Sequence, residues 1–237
     1  MVTMLQMSFI LLAIVLAIVV YLAAVRVSLT AFSDTHRQRK FIRGTALVLV
    51  GWLVYISAIS VTGIFTATSL PPRIPLLLVA PAFLFFIYFF TNKKFKPVIE
   101  NTPHAWPVYF QSFRIIVELL IWWQFTKGIV PQSATFEGRN FDILIGLTAP
   151  LIAFFTFIRP RIGKLLFILW NIAGFITLFI VVAILMKHSY FTSPANLSIL
   201  TKGFGDFPYT FLAGLFMPLA VFMHIFSLVK VRNTSVT

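Results

Sequence analysis

Two ionisable residues, Arg114 and Glu118, stand inside the apolar run QSFRIIVELLIWWQ at 111–124. Four positions apart on a helix, they share one face, with Gln111 and Trp122 along it. A guanidinium and a carboxylate so placed can hold a polar ligand, carry a proton, or neutralise each other. An unpaired charge at the centre of a bilayer costs roughly 2.5–3.5 kcal/mol on insertion scales, so both side chains must face protein or a wet cavity. As a structural pair they would fasten their helix into a bundle. As a functional pair they would form a binding or proton-coupling site.

Other polar side chains fall at similar depth. With a rise of ~1.5 Å per residue, Arg114 is about 10 Å and Glu118 about 16 Å from the start of their segment. Asn171 is about 10 Å and His224 about 8 Å from the same side, and Tyr55 and Ser57 lie near the midplane. Arg114, Glu118, Asn171, His224, Gln111 and Tyr55 therefore form the first candidate ligand site, a polar layer lining a cavity open to the cytoplasm. A second candidate lies in GIVPQSATFEGRNFD at 128–142, where Glu137, Arg139, Asn140 and Asp142 crowd together. Asn140 or Asp142 suits the cap of the helix that follows. Glu137 and Arg139 could pair with each other or meet a polar ligand at the outer mouth.

The elements that must position these groups are apolar. Hydrophobic residues make up 59% of the 237 and charged ones 11%, a balance that belongs to a polytopic membrane protein rather than a soluble domain. Seven apolar segments run at 5–27, 43–66, 74–91, 107–127, 142–158, 164–187 and 209–229. Each is long enough, at about 17–25 residues, to cross the hydrocarbon layer as a helix, and the fifth is the shortest. The runs are continuously apolar rather than alternating, which argues against a barrel. The first is followed directly by Arg26 and has no basic stretch before it, so it reads as a retained helix. The fold class expected is one all-α integral membrane domain of seven transmembrane helices over 1–237.

Charge sets its orientation. Thirteen Lys and Arg fall in the connections after segments 1, 3, 5 and 7, from Arg26 to Arg43, Lys93 to Lys96, Arg159 to Lys164, and Lys230 with Arg232. Only Arg73, Lys127, Arg139, Lys187 and Lys202, five in all, fall on the other side. Positive charge collects in the cytoplasm, which places the N-terminus outside and the C-terminus inside, in the plasma (inner) membrane if the source is bacterial. The net charge of +13 is then topology, and nucleic acid is excluded as a partner because no soluble basic domain exists to bind it.

Catalytic patterns are missing. With no cysteine there is no thiol nucleophile and no thiolate metal site. His36, His104, His188 and His224 have no metal-ligand spacing, and no nucleotide loop occurs, so no metal and no cofactor is expected. A retinal Schiff base would need a lysine in the middle of segment 7, whose only lysine is the terminal Lys230. GFGD at 203–206 resembles the signature of intramembrane aspartyl proteases over four residues, but segment 6 offers no second aspartate to share a proton. A faint repeat links segments 3 and 7, since Pro81 to Lys93 and Pro218 to Lys230 both span twelve positions. Proline-containing helices with a terminal lysine produce such matches without duplication.

Three function classes remain. The polar layer and the prolines at 81, 150 and 218 favour a transporter or binding protein for a small solute or lipid. The absence of recognisable chemistry fits a sensor or accessory subunit acting through a membrane protein partner. An enzyme on a lipid or prenyl substrate would use Glu118 or His224 as acid or base. The 188–208 loop, the longest, could fold over the outer face as a lid.

Overall fold

A computed structural model describes residues 3–66, 71–191 and 204–232. Most of the proposed 188–208 lid lies outside the described residues. Among those residues the structure is helical throughout, with no strand. Helix α1 is Met4–Ala31, opened by a capping box in which Thr3 and Gln6 satisfy each other's backbone N–H groups. Helix α2 is Thr35–Val61, capped by Asp34. It begins eight residues before the apolar stretch at 43. Hydropathy marks where a chain suits lipid, whereas the Asp34 cap and the helix-compatible THRQRK mark where the helix starts.

The third segment opens as a π turn over Pro75–Val79 and continues as α3, Ala80–Thr91. Asn92 ends it, and α4, Lys96–Asn101, leaves at 70° to the preceding helix. The sixth segment is α8, Lys164–Tyr190. The seventh opens as a π turn over Leu212–Phe216 and continues as α9, Met217–Arg232.

Prolines explain both of these π turns and how they are stabilised. Pro81 and Pro218 lack the N–H that would bond the carbonyl four residues earlier, at Leu77 and Gly214. Helix α2 supplies both replacements: Tyr55 Oη donates to the Leu77 carbonyl at 2.9 Å, and Trp52 Nε1 to the Gly214 carbonyl at 2.8 Å. The two rings stack with centroids 5.2 Å apart, so one aromatic pair holds both bent helices.

The fourth and fifth segments depart from the expected spans. The fourth is α5, Trp106–Phe110, followed by α6, Phe113–Thr126. Between them, Arg114 N bonds the Gln111 carbonyl and Ile115 N the Ser112 carbonyl, a tightened three-residue register. The fifth is α7, Asp142–Ala153, ending in a π turn over Phe154–Ile158. It starts beside Thr177, midway along α8, rather than at the outer boundary. It therefore covers only one half of the bundle, and the 127–141 connection fills the other half, with Ala134, Thr135 and Asn140 buried.

Four described helices are long and apolar enough to cross a membrane: Met4–Ala31, Thr35–Val61, Lys164–His188 and Leu212–Val231. The bent Pro75–Asn101 pair makes a fifth if counted as one span. The basic connections gather at one end. Val27, Phe32, Phe41, Phe95, Ile99 and Phe226 pack together there, and Lys230 Nζ donates to the Glu100 carbonyl at 2.8 Å. His104 against Phe157, with ring centroids 5.8 Å apart, brings the fifth connection to the same end. The exterior is apolar: Leu11, Leu22, Leu47, Leu84, Ile87 and Phe179 are exposed, while Arg114 and Glu118 are each 1% exposed. This inverts the polarity of a water-soluble protein.

Candidate functional site

The tightened turn at Gln111–Ser112 aims Arg114 into the centre of the bundle, and the guanidinium is surrounded there. Nε donates to Asp142 Oδ2 at 2.7 Å and Nη2 to Asp142 Oδ1, a two-point ion pair. Nη1 meets His224 Nε2 at 2.8 Å. Nη2 also donates to Thr177 Oγ1 at 3.0 Å and the Gly174 carbonyl at 3.3 Å. Of the readings open to the pair, mutual neutralisation is not the one formed: Arg114 is neutralised by Asp142, read from the sequence as an outer-loop residue, and not by Glu118. Planar two-point geometry favours that pairing, whereas Arg-to-Glu at i, i+4 is the weaker order on one helix.

Hydrogen bonding fixes the state of His224. Asn171 Nδ2 donates to the Phe167 carbonyl at 2.9 Å, so its Oδ1 faces His224. An amide oxygen can only accept, so His224 Nδ1, 2.9 Å away, carries a proton. Arginine can only donate, so Nε2 accepts from Arg114. His224 is therefore neutral, with both ring nitrogens engaged. Ser227 Oγ completes the group, donating to Asn171 Oδ1 at 2.7 Å. Gly174 makes room for the ring, since a Cβ there would meet His224 Nε2 at 2.2 Å. Neither nitrogen is left to take a proton from a substrate, which removes His224 as a general base.

Glu118 is held differently. Asn140 Nδ2 lies 2.7 Å from each of its carboxyl oxygens and 2.9 Å from the Ala134 carbonyl. Asn140 Oδ1 accepts from Asp142 N at 2.9 Å, a bond that spans Phe141, the N-cap residue of α7, which has no side-chain cap of its own, and Asp142 is left for Arg114. The two candidate sites are thus partly one: Asn140 and Asp142 join Arg114, Glu118, Asn171 and His224 in a single buried cluster.

The remaining candidates stand apart from that cluster or at its edge. Gln111 is buried, donates from Nε2 to the Ala220 carbonyl at 3.0 Å, and leaves Oε1 without a partner. Tyr55 is 36% exposed on the α2 face that supports Leu77. Glu137 is exposed and accepts from Trp122 Nε1 at 2.8 Å, and Arg139 is exposed. Thr177 was missed, because a threonine in an apolar helix gives no signal until its neighbours are known.

Beside the cluster lies a cavity of about 80 Å³, walled by Phe113, Val117 and Ile121 of α6, Leu178, Val181 and Leu185 of α8, and Leu212, Ala213, Phe216 and Ala220 of the seventh segment. Ile74, Pro75 and Val79 close the side facing the third segment. Arg114, Glu118 and Asp142 form its polar floor. Asn171 and His224 lie behind that floor rather than on it. The cavity extends along the second half of α8 to Tyr190 and Phe204, away from the basic connections. That reverses the expected opening towards the basic end, because the half-length α7 fills the basic half and only a loop fills the other. Among the described residues no group of three or more His, Asp or Glu side chains could hold a metal ion. No family model, curated protein or solved structure matches the chain.

Proposed function

We propose that the chain is an integral membrane protein that binds, and by extension transports, a small apolar solute or lipid in the cavity beside Glu118. The observation that carries this reading is a carboxyl group with one amide partner on the floor of an apolar chamber. A bundle needing only stability would close over such a group or pair it fully, as it does for Asp142. The apolar exterior supports residence in a bilayer, with α1, α2, α8 and α9 and the bent third segment crossing it. The α5–α6 segment and the half-length α7 with its infolded connection complete a seven-segment topology. The convergence of the basic connections supports a cytoplasmic C-terminus and an outside N-terminus, so the cavity would open to the outer side. The three π turns give the surrounding helices places to bend.

Native mass spectrometry of the chain released from membrane lipid tests this. The expected result is a retained small molecule that is lost in Ala213→Phe, which fills the chamber. Identical spectra for the two proteins would contradict the reading.

A further inference from the structure

The charges around the cavity determine what it can hold. One guanidinium, Arg114, shares the floor with two carboxyls, Asp142 and Glu118. Arg114 is committed to Asp142 by a two-point ion pair, and its other bonds go to His224, Thr177 and Gly174. His224, the titratable group brought by α9, is neutral by its hydrogen bonding. Helix α8 brings Tyr190 to the mouth, where the backbone of Arg73 and Ile74 meets its hydroxyl; the Arg73 guanidinium lies at this rim, its Nη1 donating to the Ile64 carbonyl at 3.1 Å, and not on the floor. The third segment contributes only Ile74, Pro75 and Val79 to the wall. The floor therefore carries one carboxyl more than it has cations, and the surplus is Glu118.

An anionic headgroup would meet two carboxyls and an arginine with its bonds already made, so the floor does not suit a phosphate. A surplus carboxyl in an apolar chamber has two ways to become neutral: it binds a proton or it binds a cation. We propose that the cavity takes an alkyl chain ending in an ammonium group, with the Glu118 carboxylate as counter-ion. The proposal rests on the binding function above and names its ligand class. The carbons next to the ammonium lie along Ile121, Leu178, Val181 and Phe216, and the rest of the tail leaves past Tyr190 and Phe204. Binding is an exchange in which the protonated carboxyl and the ammonium give a carboxylate–ammonium pair, and one proton leaves to solvent. Affinity for the ammonium therefore rises with pH as the competing proton is removed.

Three probes with the same tail test this on the full chain in phosphatidylcholine nanodiscs: dodecylammonium, dodecanoate and dodecanol, by calorimetry against empty nanodiscs. The expected result is saturable dodecylammonium binding, about tenfold or more tighter than either other probe, which corresponds to about 1.4 kcal/mol or more. Repeating it in two buffers of different ionisation heat should show one proton released per amine bound. Glu118→Gln should remove the preference and Glu118→Asp should retain it. The headgroup comparison needs no variant, so misfolding of either one leaves the test intact. Dodecanoate or dodecanol binding as tightly, and lost in Ala213→Phe, would overturn the charge selection while leaving a binding cavity. Binding by none of the three would overturn both.

Discussion

Arg114 and Glu118 are four residues apart on one helix face, equally buried, and in opposite circumstances. Arg114 has protein partners from three helices: Asp142 on α7, Thr177 and Gly174 on α8, and His224 on α9. Glu118 has one side-chain amide, Asn140, and a cavity. The difference shows that burial of a charge does not by itself identify a functional group. A saturated charge organises the bundle; an unsaturated one beside empty space is free to change partner.

The largest expected effect comes from breaking the saturated side. Asp142→Asn removes the two-point partner of Arg114, and Glu118, which makes no hydrogen bond to the guanidinium, does not replace it, so the change should cost about 3 kcal/mol of stability. Unfolding midpoints in nanodiscs measure this. The double change Arg114→Gln with Asp142→Asn should recover much of the loss, and a double variant as unstable as the single one would show that the ion pair is not the cause. Next comes Gly174→Ala. Its methyl would occupy the place of the His224 ring, and displacing that ring should cost about 1–3 kcal/mol. A smaller effect, about 1–2 kcal/mol, is expected for Trp52→Phe, which keeps an aromatic, though smaller, ring against Tyr55 but strands the Gly214 carbonyl above Pro218. Stability unchanged by Trp52→Phe would mean that the carbonyl finds another donor. The smallest effect belongs to the other side of the comparison: Glu118→Gln should leave stability within about 1 kcal/mol of the parent, because an amide still meets Asn140. A loss as large as that of Asp142→Asn would erase the distinction between the two carboxyls.

Much of this arrangement could be read from sequence, for identifiable reasons. Hydropathy located α1, α8, α9 and the part of α2 after residue 43, because each is a long apolar run. Counting helical rise put Arg114, Asn171 and His224 at one level, and His224 bonds both of the others. A proline at 218 leaves the Gly214 carbonyl without its helical donor, but nothing in the sequence names Trp52 as the replacement. The angular positions were not legible. Which way Arg114 points depends on a tightened turn at Gln111–Ser112 that no glycine or proline announces. The partner of Arg114 depends on a connection folding into the bundle, which turns Asp142 from a surface cap into a buried counter-ion. A polar loop of that length reads as solvated, and only packing shows that Asn140 and Ala134 are inside.

Glu118 meets the apolar cavity while Asp142, on the same floor, is locked to Arg114. Dicyclohexylcarbodiimide tests this most directly, because it enters apolar space and reacts with protonated carboxyls, not with ion-paired carboxylates. Peptide mapping by mass spectrometry after treatment of the protein in nanodiscs should find the adduct on Glu118, reduced by prior addition of dodecylammonium, and none on Asp142. An adduct on Asp142, or no adduct on either residue, would contradict the account.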